Sequence, residues 1–434
     1  MATRIQRTNT TPTLTTKCTF SAWVKRSDSA VGNSGRDAAI IETYTGANDY
    51  GFIRFDGNDQ IQIYARNSSG NLIVCDTDAK YRDINAWYHI VATLDSTEST
   101  SSDRVKLYVN GVRQTFQGSP TYPGSSAEVW FNRNSSTFNI GNSEKYTSNF
   151  QFDGQYSHVH FIDGAAYQAS TFGSTDSTTG EWKINTSPTI TEYGANGFFM
   201  FKDDASLNDD SGKGNNFTVA AGSIQKTEDN PSNVFATMSP LHKGSNVALT
   251  NGNLTCTGSG SNASVASTLA VSTGKWYWEA KLNSSTNNYF NVGILKSDVR
   301  IDNLAFPGDV ADGYVYAVDG NIYRSGSSLL STGTTLSVGN IVGFLLDLDN
   351  GTLKLKVNGS DVYSGNAVVS SLNTGDFWYV AQGANPSSVD INFGNGYFGT
   401  TAISSEGTNA SGIGKFEYDV PTGYTALSTK GLNE

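Results

Sequence analysis

Apolar and polar positions alternate with a period of two along most of this chain, the spacing of half-buried β-strands. Val105, Leu107 and Val109 point one way and Lys106 and Tyr108 the other; Leu353, Leu355 and Val357 alternate in the same manner with Lys354 and Lys356. Each run ends in Asn-Gly, at Asn110-Gly111 and Asn358-Gly359, a pair that tolerates positive φ and closes two-residue hairpins of type I′. The two copies, RVKLYVNG (Arg104–Gly111) and TLKLKVNG (Thr352–Gly359), follow similar apolar runs, WYHIVATLD (Trp87–Asp95) and NIVGFLLDLD (Asn340–Asp349). This repetition predicts two related β-sandwiches. Ile61 and Ile63 alternate with Gln60, Gln62 and Tyr64, Val159 and Phe161 with His158 and His160, and Trp276, Trp278, Ala280 and Leu282 share one face of a further strand. Helix is expected to be scarce, with a short turn near Asn303–Phe306.

Composition supports the same class. A chain of 434 residues exceeds one hydrophobic core, given about 100–200 residues per domain, and two domains fit the repeat. The 45 Gly against 9 Pro, with 12% aromatic and 16% charged residues, suit sheets joined by many turns. A net charge of −11 without a basic cluster argues against a phosphate-binding surface, so no nucleic acid partner is expected. No run reaches the roughly 18 apolar residues of a membrane span, and the first residues lack the apolar core of a signal peptide. The expectation is a protein made in a cytoplasm and not inserted into a membrane. Cys18, Cys75 and Cys256 lie far apart and are read as reduced, buried thiols.

The order of motifs carries two family resemblances. FSAWVK, WYHIVATLD, VKLYVNG and FDGQYSHVHFIDGAAY (Phe152–Tyr167) succeed one another as in the laminin G-like, concanavalin A-like jelly roll, over roughly residues 16–185. GKWYWEAKL (Gly274–Leu282), FNVGIL (Phe290–Leu295), the hairpin at Thr352–Gly359 and FWYVAQG (Phe377–Gly383) resemble a SPRY domain over about residues 250–400. The resemblances imply an all-β chain of two concanavalin A-like antiparallel sandwiches. The expected divisions are a polar arm at 1–15 that anchors the subunit to neighbours, a jelly roll at 16–185, a packed connector at 186–245, and a SPRY-like sandwich with a tail at 246–434.

Catalytic motifs are missing. There is no Ser/His/Asp signature, GxSxG, HExxH or P-loop, and no Glu-x-Asp-x-x-Glu strand of the kind glycosidases of this superfamily often carry. Glu279 is read as an outward charge opposite an aromatic face. His158 and His160, two apart on a strand, could face a metal but read better as a solvated or partner-facing pair, and no metal or cofactor is assigned. Asp203, Asp204, Asp209 and Asp210 could hold calcium or simply form turns; the EF-hand spacing fails because the later bidentate Glu is missing. Sugar rings stack on aromatic side chains while their hydroxyls need amide and carboxylate partners, which makes loop aromatics the candidate ligand-binding residues. These are Tyr122, Trp130, Tyr146, Tyr289 and Tyr323.

The two domains together, with LNDDSGKGNNFT (Leu207–Thr218) and the closing VPTGYTALSTKGLNE, resemble bacteriophage virion proteins. That resemblance implies a non-enzymatic structural protein on the particle, as a tail fibre or appendage or as a head decoration, binding host-surface glycan during adsorption. Its partners would be other virion proteins and the glycan, with a homo-oligomer, a trimer first, in view. Two further readings stand beside it: a virion polysaccharide depolymerase, and a cement subunit that binds only other virion proteins.

Overall fold

The structure is a computed structural model that describes residues 3–28, 36–285, 290–383 and 386–433. It is all-β: no α-helix occurs among the described residues, and helical turns are limited to short 3-10 segments such as Pro307–Asp309, just beyond the turn expected from the sequence. The chain divides into two compact units, Met1–Lys226 and Thr227–Glu434.

In the first unit, a seven-stranded sheet runs in the order 218–221, 4–8, 137–140, 38–46, 49–55, 61–67, 70–76. A six-stranded sheet runs 198–200, 154–163, 17–26, 87–95, 105–109, 112–113. Side chains of the inner faces, among them Phe20, Val24, Ile53, Phe55, Ile63, Ile90, Leu107 and Phe138, are buried together between the sheets. Within the segment read as a polar arm, Arg4–Thr8 is instead a strand of the first sheet. Ile5 and Arg7 alternate inward along it, and it pairs with Thr137–Ile140 on one side and Thr218–Ala221 on the other.

The connector is divided between the units. Phe198–Met200 pairs with Val159–Phe161 in the first unit, while Met238–Lys243 pairs with Ser264–Val271 in the second. The second unit has a seven-stranded sheet, ordered 238–243, 264–271, 378–383, 291–296, 313–317, 321–324, 327–331. Its eight-stranded partner runs 247–250, 255–258, 387–392, 275–285, 341–347, 352–357, 360–361 and is extended by Thr425–Ala426, parallel to 275–285. Trp276, Trp278, Ala280 and Leu282 do share the core face, with Trp278 stacked on Phe344 at 5.0 Å.

Both Asn-Gly hairpins form. Asn110 and Gly111 have φ of 48° and 79°, Asn358 and Gly359 of 49° and 79°, the paired left-handed conformations a type I′ turn requires. Each Asn also ties its turn to the preceding strand: Asn110 Oδ1 accepts from the His89 amide at 2.8 Å and Asn358 Oδ1 from the Ile341 amide at 2.9 Å.

Candidate functional site

In a sandwich the inner sheet faces are consumed by the core, so recognition falls to outer faces and loops. The outer face of the seven-stranded sheet in the first unit carries a cluster of aromatics on adjacent strands. Tyr44, Tyr50, Phe52 and Tyr64 project from it, and Tyr146 and Phe150 are laid over them by the loop that follows Ile140. Tyr146 and Phe150 lie 4.5 Å apart between ring centroids, Phe52 and Phe150 5.1 Å, and Tyr50 and Tyr146 6.0 Å in an edge-on arrangement. Tyr50 and Phe52 form the buried floor; Tyr44, Tyr64, Tyr146 and Phe150 are half-buried.

A polar frame surrounds the rings. Arg54 lies over Phe150 at 4.6 Å and donates to Gln62 Oε1 at 2.9 Å and to Asp37 Oδ2. Arg66 and Lys145 approach the Tyr50 ring at 5.9 and 5.8 Å, and the Tyr64 hydroxyl donates to Asn71 Oδ1 at 2.8 Å.

One buried carboxylate sets the loop in place. Glu42, fully enclosed, accepts from Ser143 Oγ at 2.6 Å, from the amides of Glu144 and Lys145 at 2.5 and 3.2 Å, and from Asn139 Nδ2 at 2.9 Å. Burial pushes the Glu42 carboxyl above its ordinary range, and these donors offset that rise only in part. Ser143 Oγ in turn accepts from the Tyr146 amide at 2.8 Å, so Tyr146 is held before any ligand arrives.

The five aromatics named from the sequence separate. Tyr146 joins the platform. Tyr122 packs part-buried on the first core beside Phe116. Trp130 is only 6% exposed; at φ 72° it turns into the core under Arg133, whose guanidinium lies 3.9 Å from the ring centroid. Tyr323 belongs to the second unit, half-buried with its hydroxyl on Asp319 Oδ2 at 2.7 Å. Tyr289 lies outside the described residues. Tyr44, Tyr50, Phe52 and Tyr64 were not among the ligand candidates named from the sequence, although each occupies an outward position of its strand.

Other candidate groups have structural partners. His158 sits at a β-bulge with φ 48° and bonds Ser157 Oγ, while His160 bonds the Tyr193 hydroxyl at 2.8 Å and stacks on Phe199 at 4.0 Å. His160 is therefore buried, not solvated, because residues 165–193 cover this outer face of the six-stranded sheet. His89 is stacked between Trp23 and Trp182; its Nδ1 accepts from the Trp182 indole N–H, which leaves Nε2–H to donate to Ser21 Oγ. Burial holds this imidazole neutral, with its pKa pushed down to about 3.

Asp203, Asp204 and Asp210 are exposed, whereas Asp209 spends its oxygens on the amides of Phe199, Ser211 and Asn215 and on Ser211 Oγ. Among the described residues no group of three or more His, Cys, Asp or Glu side chains is placed to hold a metal.

Glu279 differs from its expected outward placement. It does leave the core face of its strand, but the C-terminal segment covers it completely. Its carboxylate accepts from the amides of Glu417 and Tyr418 at 3.0 and 2.9 Å, the Tyr277 hydroxyl at 3.0 Å and Asn392 Nδ2 at 3.3 Å.

Comparison with known proteins agrees with this architecture. Residues 3–170 match the family model Laminin_G_3, the concanavalin A-like lectin/glucanases superfamily, and residues 275–396 match the SPRY domain. A search of curated proteins finds no match. Among solved structures, the SPRY domain of human HERC1 is similar at 18% identity over 36% of this chain and 96% of its own, with a TM-score of 0.30. The TRIM65 PSpry domain is similar at 12% identity over 36% of this chain and 88% of its own, also with a TM-score of 0.30. The chain thus carries a concanavalin A-like domain followed by a SPRY domain, both built from antiparallel sheets.

Proposed function

We propose that this is a non-enzymatic bacteriophage virion protein, carried on a tail fibre or appendage or as a head decoration, that binds host-surface glycan through the first domain. The observation that carries the binding role is the aromatic platform of Tyr44, Tyr64, Tyr146 and Phe150 over Tyr50 and Phe52. It offers apolar ring faces next to hydroxyl, amide and guanidinium groups, the combination a saccharide needs. The virion assignment draws its support from the sequence likeness of the segments at 207–218 and 420–434 to recurrent pieces of phage structural proteins. Many copies on a symmetric particle would raise a weak single-site affinity by avidity.

The test is retention of the full chain on a glycan array and on immobilised envelope polysaccharide. Retention without release of new reducing ends is expected, with Tyr64→Ala and Tyr146→Ala each weakening it about fivefold or more while the melting temperature holds. Release of oligosaccharide would make the chain a depolymerase. Silence on every glycan, together with fragile particles when the gene is removed, would make it a cement subunit.

A further inference from the structure

The aromatic platform has a charged rim whose cations are not all neutralised. Alternation along Ile61–Asn67 turns Ile61, Ile63 and Ala65 into the core and leaves Gln62, Tyr64 and Arg66 on the outer face. Register then sets Arg66 directly across from Tyr50, Tyr64 from Phe52 and Gln62 from Arg54. Arg66 therefore shares a face with the rings, and its Cζ lies 5.9 Å from the Tyr50 centroid. Lys145 reaches the same ring from the loop: its Nζ lies 5.8 Å from the Tyr50 centroid and 5.5 Å from that of Tyr146. The Lys145 amide donates to Glu42 Oε1 at 3.2 Å, so this side chain starts from a tethered backbone.

Of the three cations that border the rings, Arg54 is paired with Asp37. Arg66 and Lys145 form no ion pair among the described residues, and the Arg66 Nε–H is covered without a hydrogen-bond partner. The polar group that acts most on Arg66 is the Tyr50 hydroxyl, which is already shared with Tyr146 at 3.0 Å. Acids of the same region are committed elsewhere: Glu42 to the loop, Asp76 to Gln62 Nε2, and Glu144 to Arg4 at 3.6 Å. An aromatic face returns only about 0.5–1 kcal/mol to an exposed cation and leaves its donors for another acceptor. In a chain of net charge −11, two uncompensated cations beside one ring reverse the local sign and offset the repulsion an acidic ligand meets elsewhere.

We propose that the platform selects anionic saccharides: the sugar ring lies on the tyrosines, and its carboxylate or sulfate is taken by Arg66 and Lys145. A neutral sugar leaves both cations without a counter-charge. The proposal rests on the glycan reading above and narrows it to a charge class.

Calorimetric titration of the full chain with oligogalacturonate against its methyl ester, and with a sulfated galactan oligosaccharide against its desulfated form, changes charge at constant length. At least one charged oligosaccharide is expected to bind about tenfold more tightly than its uncharged counterpart, and which pair does so tells carboxylate from sulfate. Its affinity should fall between about 50 and 300 mM salt while that of the uncharged counterpart holds. Arg66→Gln and Lys145→Gln should each lower the charged-to-uncharged ratio about threefold or more, whereas Tyr64→Ala lowers both affinities together. Should a rim variant fail to fold, the salt dependence of the unmodified chain decides. Equal affinity within both pairs, indifference to salt, or a ratio that neither rim variant moves overturns the charge selection and leaves the glycan reading standing. Silence on all four oligosaccharides with retention on the glycan array likewise overturns the charge selection alone; silence on the array as well overturns the glycan reading with it.

Discussion

Glu42, Asp163 and Glu279 are buried carboxylates that serve chain segments rather than cations. Each collects backbone amides of a loop or tail and so pins irregular chain onto a sheet, which explains why acids are tolerated where burial should expel them. For Glu279, burial outweighs its four donors and pushes the carboxyl up to about 7, against 4.5 for an ordinary glutamate. The sign follows directly. The folded chain binds this proton more tightly than the unfolded chain, so the contribution to stability is full below about 4.5 and is lost as pH rises through about 7. The expected change over that window is at most on the order of 3 kcal/mol. Thermal melts of the second unit should therefore fall across that interval, and Glu279→Gln should remove this part of the slope while lowering stability at every pH. An unchanged slope in the variant would assign the dependence to another group. None of this is legible in the sequence, because Glu279 sits in an ordinary outward position of a strand and what covers it is more than a hundred residues away in the chain.

The hairpins show how far local pattern reaches. Period-two alternation and Asn-Gly are local signals, and the strands and both turns they predict are present with the dihedrals they require. The segments that cover the sheets have no period and hence no local signal: residues 165–193 across the first unit and the C-terminal stretch containing Ile413, Phe416 and Val420 across the second. Yet each touches the corresponding turn. A Cβ at Gly111 would collide with the Trp182 ring, and one at Gly359 would lie 2.7 Å from Tyr418 Cδ1. Positive φ adds strain for any residue with a Cβ. Gly111→Ala and Gly359→Ala are accordingly expected to destabilise their own units by roughly 1–3 kcal/mol each in chemical denaturation. A loss confined to a few tenths would mean that the covering aromatic swings away freely. The same want of local signal separates the candidate site: Tyr146 is legible as a loop aromatic, whereas Tyr44, Tyr50, Phe52 and Tyr64 look like any wet face until strand order sets them side by side.

Two units with separate cores and no bridging disulfide give the molecule a built-in means of watching each unit open. Cys18 and Cys75 are buried in the first core and Cys256 in the second, all three as free thiols. Burial pushes every one of these thiols well above its usual pKa, so the native protein holds almost no reactive thiolate. A thiol reagent should therefore label nothing promptly in the native chain and all three residues after full denaturation. At intermediate denaturant, labelling follows whichever core has opened, because reaction requires exposure of the surrounding strands rather than a local fluctuation. Cys18 lies on strand 17–26 of one sheet and Cys75 on strand 70–76 of the other, both facing the same core, and they should become reactive at one common midpoint. Cys256 should follow a midpoint of its own that moves with Gly359→Ala and ignores Gly111→Ala. Mass mapping of the labelled peptides reads all three at once. Prompt native labelling, or separate midpoints for Cys18 and Cys75, would show that the first sandwich opens sheet by sheet instead of as one cooperative core.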